Sequence, residues 1–166
     1  MTAPENDGRR DFDFLFGDWR VHNRRLLRRL EGSKDWEGFE TSLSTRPVLG
    51  GLGNIDSFSA DAPHDGEPWK GLSLRLFDPE SRSWSIWWAA TSRPGHLDPP
   101  VVGGFTDGHG RFFGDDEHNG RPVRVLYEWK DITPTSARWE QAFSPDDGAT
   151  WEMNWTMTLI REEPER

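Results

Sequence analysis

The sequence predicts one all-β domain, a single antiparallel up-and-down β-barrel of about ten strands. Three observations predict it. No segment of convincing length carries the helix period, short apolar-alternating runs recur between turn signals every ten or so residues, and the last three runs share one face that is aromatic and one that is charged. A chain of 166 residues is long enough to bury one core.

The composition says what that core is made of. Only 33% of residues are hydrophobic against 30% charged, and the formal net charge is −9, values near those of disordered chains. Ten Trp, ten Phe and one Tyr reverse that expectation. At roughly 200 Å² per ring they can hide on the order of 4,000 Å². With no cysteine, disulfides and thiolate-held metals or clusters are excluded. No apolar run approaches the ~20 residues of a membrane helix, and Met1 to Arg10 resembles neither leader nor anchor. The expectations are therefore a cytoplasmic protein with no membrane and no nucleic-acid partner, since the balance is acidic. A homodimer is compatible with all of this.

The elements follow in order. A polar tail, 1–10, precedes a first strand from about Asp18 to Leu30, which turns through Glu31-Gly32-Ser33-Lys34 and returns from Trp36 to Val48. Gly50-Gly51-Leu52-Gly53 breaks the chain before a short strand, Asn54 to Phe58, and Asp61 to Pro68 is a polar loop. Trp69–Phe77 and Arg82–Ala90 flank the turn Asp78-Pro79-Glu80-Ser81; setting Phe77 opposite Trp84 places Arg75 by Ile86 and Ser73 by Trp88. After a Pro-rich loop, Arg93 to Pro100, come Val101–Phe105, a turn at Asp107-Gly108, and Arg111–Asp115.

For the last three strands the expected register sets Tyr127 opposite Trp139 and Glu128 opposite Arg138, a cross-strand charge pair. Carried forward, it sets Phe143 by Trp151, Gln141 by Met153 and Trp139 by Trp155. The interior face is then Val125, Tyr127, Trp129, Trp139, Gln141, Phe143, Trp151, Met153, Trp155 and Met157. The barrel domain spans 11–161, and 162–166 form a C-terminal tail.

Several motifs carry local rather than chemical information. Ser144-x-Asp146-x-Gly148-x-Thr150-Trp151 fits the Asp-box of sialidase propellers, but one copy in a chain with too few strands reads as a hairpin turn with Trp151 packed beneath it. The arginines at 20, 24, 25, 28 and 29 alternate faces and have no stacking platform between them, so they read as a solvated hairpin rather than a phosphate track. Asp115-Asp116-Glu117-His118-Asn119-Gly120 lacks ordered calcium-loop spacing and reads as a solvated turn.

Phe14-x-x-Gly17-x-Trp19 opens the first strand, and Arg161 stands near the end of the last, sharing parity with Trp155, Met157 and Leu159. In this the chain resembles the lipocalin-like, or calycin, barrels, and it is similar to an uncharacterised bacterial calycin-like family over roughly Asp11 to Arg161, including Leu49-Gly50-Gly51-Leu52-Gly53-Asn54 and Phe77-Asp78-Pro79. The resemblance implies that Trp19 closes the barrel base with Arg161 lying across it, and that both are structural. It also raises haem, which some related barrels bind through a strand histidine. Here His64, His96, His109 and His118 lie in or beside turns, and His22 points outward if Trp19 points inward, so no cofactor is expected.

The resulting functional expectation is a pocket for a small, largely apolar or aromatic molecule. Trp88, Tyr127, Trp139, Met153 and Trp155 would wall it, with Gln141, Tyr127 and Arg75 supplying the polar contacts. The alternative is a small cavity enzyme of isomerase or cyclase type acting on a hydrophobic metabolite. No nucleophile-elbow or phosphate-loop signature is present, so its acid or base would come from Asp56, Arg75, Tyr127 or Gln141, and an inward Asp56–Arg75 pair would be the feature to look for. A third reading is a solid barrel serving as an interaction module.

Overall fold

A computed structural model describes residues 6–61 and 67–163. Residues 1–5, 62–66 and 164–166, which include half of the expected N-terminal tail, His64 with the middle of the polar loop, and the end of the C-terminal tail, lie outside the described residues. The described residues form ten strands: β1 Gly17–Leu26, β2 Trp36–Val48, β3 Gly53–Ala60, β4 Trp69–Asp78, β5 Ser83–Ala90, β6 Val101–Thr106, β7 His109–His118, β8 Arg121–Lys130, β9 Ser136–Ser144 and β10 Glu152–Arg161. Each pairs antiparallel with its sequence neighbour, and β1 pairs with β10, closing the barrel. Two short 3-10 turns, Asp13–Leu15 and Leu49–Gly51, are the helical content among the described residues. No helix among the described residues is long and apolar enough to cross a membrane.

The turns explain why strands reverse where they do. Asp107-Gly108 and Asn119-Gly120 both hold two successive left-handed residues, the geometry of a two-residue hairpin whose twist matches the flanking strands. The second places Asp115 to His118 inside β7, so the expected solvated turn is only Asn119-Gly120.

The aromatic core fills one end. Trp19, Leu15, Phe12, Trp84, Phe112 and Trp129 are buried there. Phe12 meets the edge or face of Trp84 and Phe105 at 5.0 Å each and of Trp129 at 6.2 Å. The segment ahead of β1 is thus a plug: the Trp84 indole N–H donates to the Gly8 carbonyl at 3.0 Å, so the expected free tail joins the barrel from about Gly8. Trp19 pairs with Arg161 across β1 and β10, and the guanidinium lies 4.2 Å from the ring centre. That guanidinium also donates to the carbonyls of Phe14, Phe16 and Pro134. Gly17 makes room for it: with φ of +107°, a Cβ there would sit 2.8 Å from Arg161 Nη1.

In β4 and β5 the expected register holds, with Phe77 by Trp84, Arg75 by Ile86 and Ser73 by Trp88. Two corrections fall in the last strands. Between β8 and β9 the partners shift by two: Trp129 faces Trp139, Tyr127 faces Gln141, and Val125 faces Phe143. Glu128 therefore stands opposite Glu140, not Arg138. His109 and Arg111 compensate Glu128, while Lys130 and Arg138 compensate Glu140. Because the slip is even, every side chain keeps its face. In β10 a bulge falls between Met153 and Trp155, so Trp155 faces Gln141 and Met157 faces Trp139, while Met153 faces Ala142. One extra residue inverts the pleat, which turns Met153 and Trp151 outward and buries Asn154 in their place.

Candidate functional site

Above the plugged base the barrel holds a cavity of about 150 Å³. Its walls include Phe58, Trp88, Tyr127, Trp139, Phe143 and Trp155, its floor Asp56, Arg75 and Trp129, and its mouth Arg29, Asp98 and Asp116. The rings meet edge to face: Tyr127 with Trp139 at 5.1 Å, Trp139 with Trp155 at 5.7 Å, and Trp155 with Trp88 at 6.3 Å. Local sequence sets each ring. Trp88 lies over Gly71 on the neighbouring strand, where a Cβ would come within 2.1 Å of the indole. Trp155 donates its indole N–H to Asn23 Oδ1 at 3.0 Å, and Asn23, fully buried on β1, is held in turn by donating to the Thr41 hydroxyl at 3.0 Å.

At the floor the inward Asp56–Arg75 pair exists. Arg75 Nη2 donates to Asp56 Oδ2 at 2.7 Å and Nη1 to Asn54 Oδ1 at 2.9 Å, and Asp56 also accepts from the Ser73 amide at 2.9 Å. Both charged side chains are almost wholly buried, and the Arg75 guanidinium lies 5.1 Å from the Phe12 ring centre. Pairing and hydrogen bonding are what make two charges tolerable there.

The mouth differs in character. Asp98, on the loop between β5 and β6, is held by Arg93 at 3.4 Å and His96 at 3.3 Å, yet burial and then Asp116 raise its pKa above the ordinary aspartate value. Burial, and then Asp98 and Asp116, push the Tyr127 phenol well above the usual tyrosine range, so it stays a neutral hydroxyl. Arg29 lies against Phe143 at 5.3 Å and makes no ion pair among the described residues; burial and then Arg25 bring its pKa to about 10, still charged at neutral pH. The arginine cluster is therefore not wholly solvated. Arg25, paired to Glu37 at 2.8 Å, lies 5.1 to 5.9 Å from Phe39, Trp155 and Trp69.

Of the residues expected to bind, Arg75, Trp88, Tyr127, Trp139, Gln141 and Trp155 line this one cavity. Met153 does not: the bulge turns it outward, 42% exposed. Gln141 donates to Asn154 Oδ1 at 2.8 Å, so one end of its amide is committed to the bulge. Sequence reasoning missed Asn23, Arg29 and Asp98. Asn23 was readable from parity with Trp19; Asp98 sits on an irregular loop, where parity says nothing. His22 faces outward as expected, 2.6 Å from Glu40, and no group of three or more His, Asp or Glu suited to a metal occurs among the described residues.

No family model matches the chain, and no curated protein matches it. Solved structures do. The chain is similar to an S-type phycobiliprotein lyase, CPES, from Guillardia theta, at 10% identity over 99% of this chain and 100% of that one, with a TM-score of 0.61. It is also similar to a redesigned β-barrel, b11L5F_LGL, at 14% identity over 93% and 96%, TM-score 0.51. A third is EF1p2_mFAP2b bound to DFHBI, at 13% identity over 93% and 99%, TM-score 0.50. At such identities the likeness speaks for the fold alone: the chain is a closed, ten-stranded, antiparallel up-and-down β-barrel, consistent with the calycin-like architecture its first and last strands suggested.

Proposed function

We propose that the protein binds a small molecule of about one ring inside the barrel, an apolar or aromatic body carrying a polar group. The observation that carries this is the cavity itself, plugged at one end and walled by Trp88, Tyr127, Trp139 and Trp155. Its volume of about 150 Å³ matches that of an engineered apolar cavity that holds benzene, and is below the ~300 Å³ at which drug-sized pockets begin. Rings give large contact area with little rotamer entropy to lose. Gln141, the Tyr127 hydroxyl and the charged floor and rim orient the polar group. The likeness to EF1p2_mFAP2b, which is bound to DFHBI, supports the reading, since a barrel of this shape accepts a small molecule.

Titration with phenol, indole and benzoate, read by tryptophan fluorescence and calorimetry, tests it. At least one probe should change the fluorescence saturably, and Trp139→Ala or Trp155→Ala should weaken that response about tenfold. Benzoate bound better than phenol, with the preference lost in Arg29→Gln, would place the polar group at the mouth. No saturable response to any probe would overturn the reading.

A further inference from the structure

The outer wall carries a feature that the cavity does not use. Val102, Phe113, Leu126, Ala142 and Met153 are direct cross-strand neighbours, one from each of β6 to β10, forming an apolar row across half the barrel. Val102, Phe113 and Met153 are 37 to 42% exposed, and Trp151 lies against Phe113 at 6.2 Å, widening the row. A groove runs among Phe113, Leu126, Ala142, Trp151 and Met153, so the patch has both protruding side chains and a hollow. Outward positions of a strand are normally polar, and a contiguous apolar patch marks a contact surface.

We infer that this row is the interface of a symmetric homodimer, with the two-fold axis lying along the row. The charges flanking it commit the surface to a second copy of the same chain. On one side Arg111 pairs with Glu128 at 3.8 Å; on the other Asp115 pairs with Arg124 at 3.4 Å. Arg111, Phe113 and Asp115 stand on β7, and Glu128, Leu126 and Arg124 opposite them on β8. A two-fold along the row exchanges its two sides. It lays Asp115 beneath Arg111 of the partner subunit and Arg124 beneath Glu128 of the partner subunit. Each ion pair thus meets its own charge inverse, twice over, while Phe113, Leu126, Ala142 and Met153 cover the same residues on the other copy. A closed barrel has no free edge, so self-association of this kind is face to face.

Sedimentation equilibrium on the full chain tests this. A dimer whose dissociation constant rises about tenfold in Phe113→Glu and in Met153→Glu, with unchanged far-UV circular dichroism, supports it. Because an outward charge can unfold a strand, the decisive variants are charge swaps. Arg124→Glu alone should weaken the dimer, and Arg124→Glu with Glu128→Arg should restore it, although that double variant breaks both intrachain pairs. Dimerisation should also weaken with added salt. A monomer at every concentration reached overturns the inference, as does a dimer indifferent to these substitutions. A monomer that captures a different protein through Phe113 and Met153 overturns it equally.

Discussion

Arg75 and Asp56 face each other at 2.7 Å at the floor of a cavity walled by rings. Such a pair stabilises little against an apolar replacement, but half of it is costly. Arg75→Met or Asp56→Leu should therefore each lower unfolding free energy by about 3–5 kcal/mol, because each strands the other charge. The double variant should cost less than the sum of the two. Urea midpoints at constant m-value check this; additive losses would mean the two groups are not coupled.

Arg161→Ala removes the stack on Trp19 and three hydrogen bonds to carbonyls of the plug and the β8–β9 connection. A loss of about 2 kcal/mol is expected. Arg161→Lys should recover little of it, since a point charge cannot span three acceptors as a planar fork does. Thermal unfolding of the two variants side by side measures both.

Gln141→Leu should destabilise by about 1–3 kcal/mol, because Asn154 Oδ1 loses its donor within a buried bulge whose Asn154 Nδ2 already lacks a partner among the described residues. Chemical denaturation provides the readout, and a neutral outcome would show that the bulge does not depend on this bond.

Asp146 gives a pH prediction. Hydrogen bonds from the Thr150 hydroxyl and amide, and then from the Ser144 hydroxyl, lower its pKa from 3.8 to about 2. A depressed acid contributes stability that is fully present above its unfolded value and lost as pH falls through the folded one. The Ser144–Thr150 turn should thus hold above pH 4 and loosen between about 4 and 2. Amide exchange at Gly148 and Thr150 follows the opening, and Asp146→Ala should show the loosened turn at neutral pH.

Parity made most of the fold legible. Alternation placed Tyr127, Trp139 and Gln141 on one inner face and set Arg75 on the same face as Trp88, because one side of every strand is buried. The β4–β5 partners were also readable, since a short turn fixes their register. The β8–β9 partners were not. Their connection is closed by Thr133, whose hydroxyl accepts the Ser136 amide at 3.0 Å, and no glycine announces its length. Met153 was misplaced for a different reason: a bulge is a single extra residue, and nothing in Trp151-Glu152-Met153-Asn154-Trp155 marks which one is extra. Asn154 inside and Met153 outside reverse what polarity alone would assign.

The junction of β5 and β6 has a consequence of its own. Only Trp84, Ser85 and Ile86 pair with β6, so from Trp87 onward β5 is laddered to β4 alone, and the Asp98 amide, donating to the Trp88 carbonyl at 2.9 Å, latches the gap. Trp88 and Asp98 both line the cavity, so the shortest strand pairing in the wall lies beside it. Opening the gap costs one loop hydrogen bond rather than a length of sheet, so the wall should part there locally while the rest of the barrel stays folded.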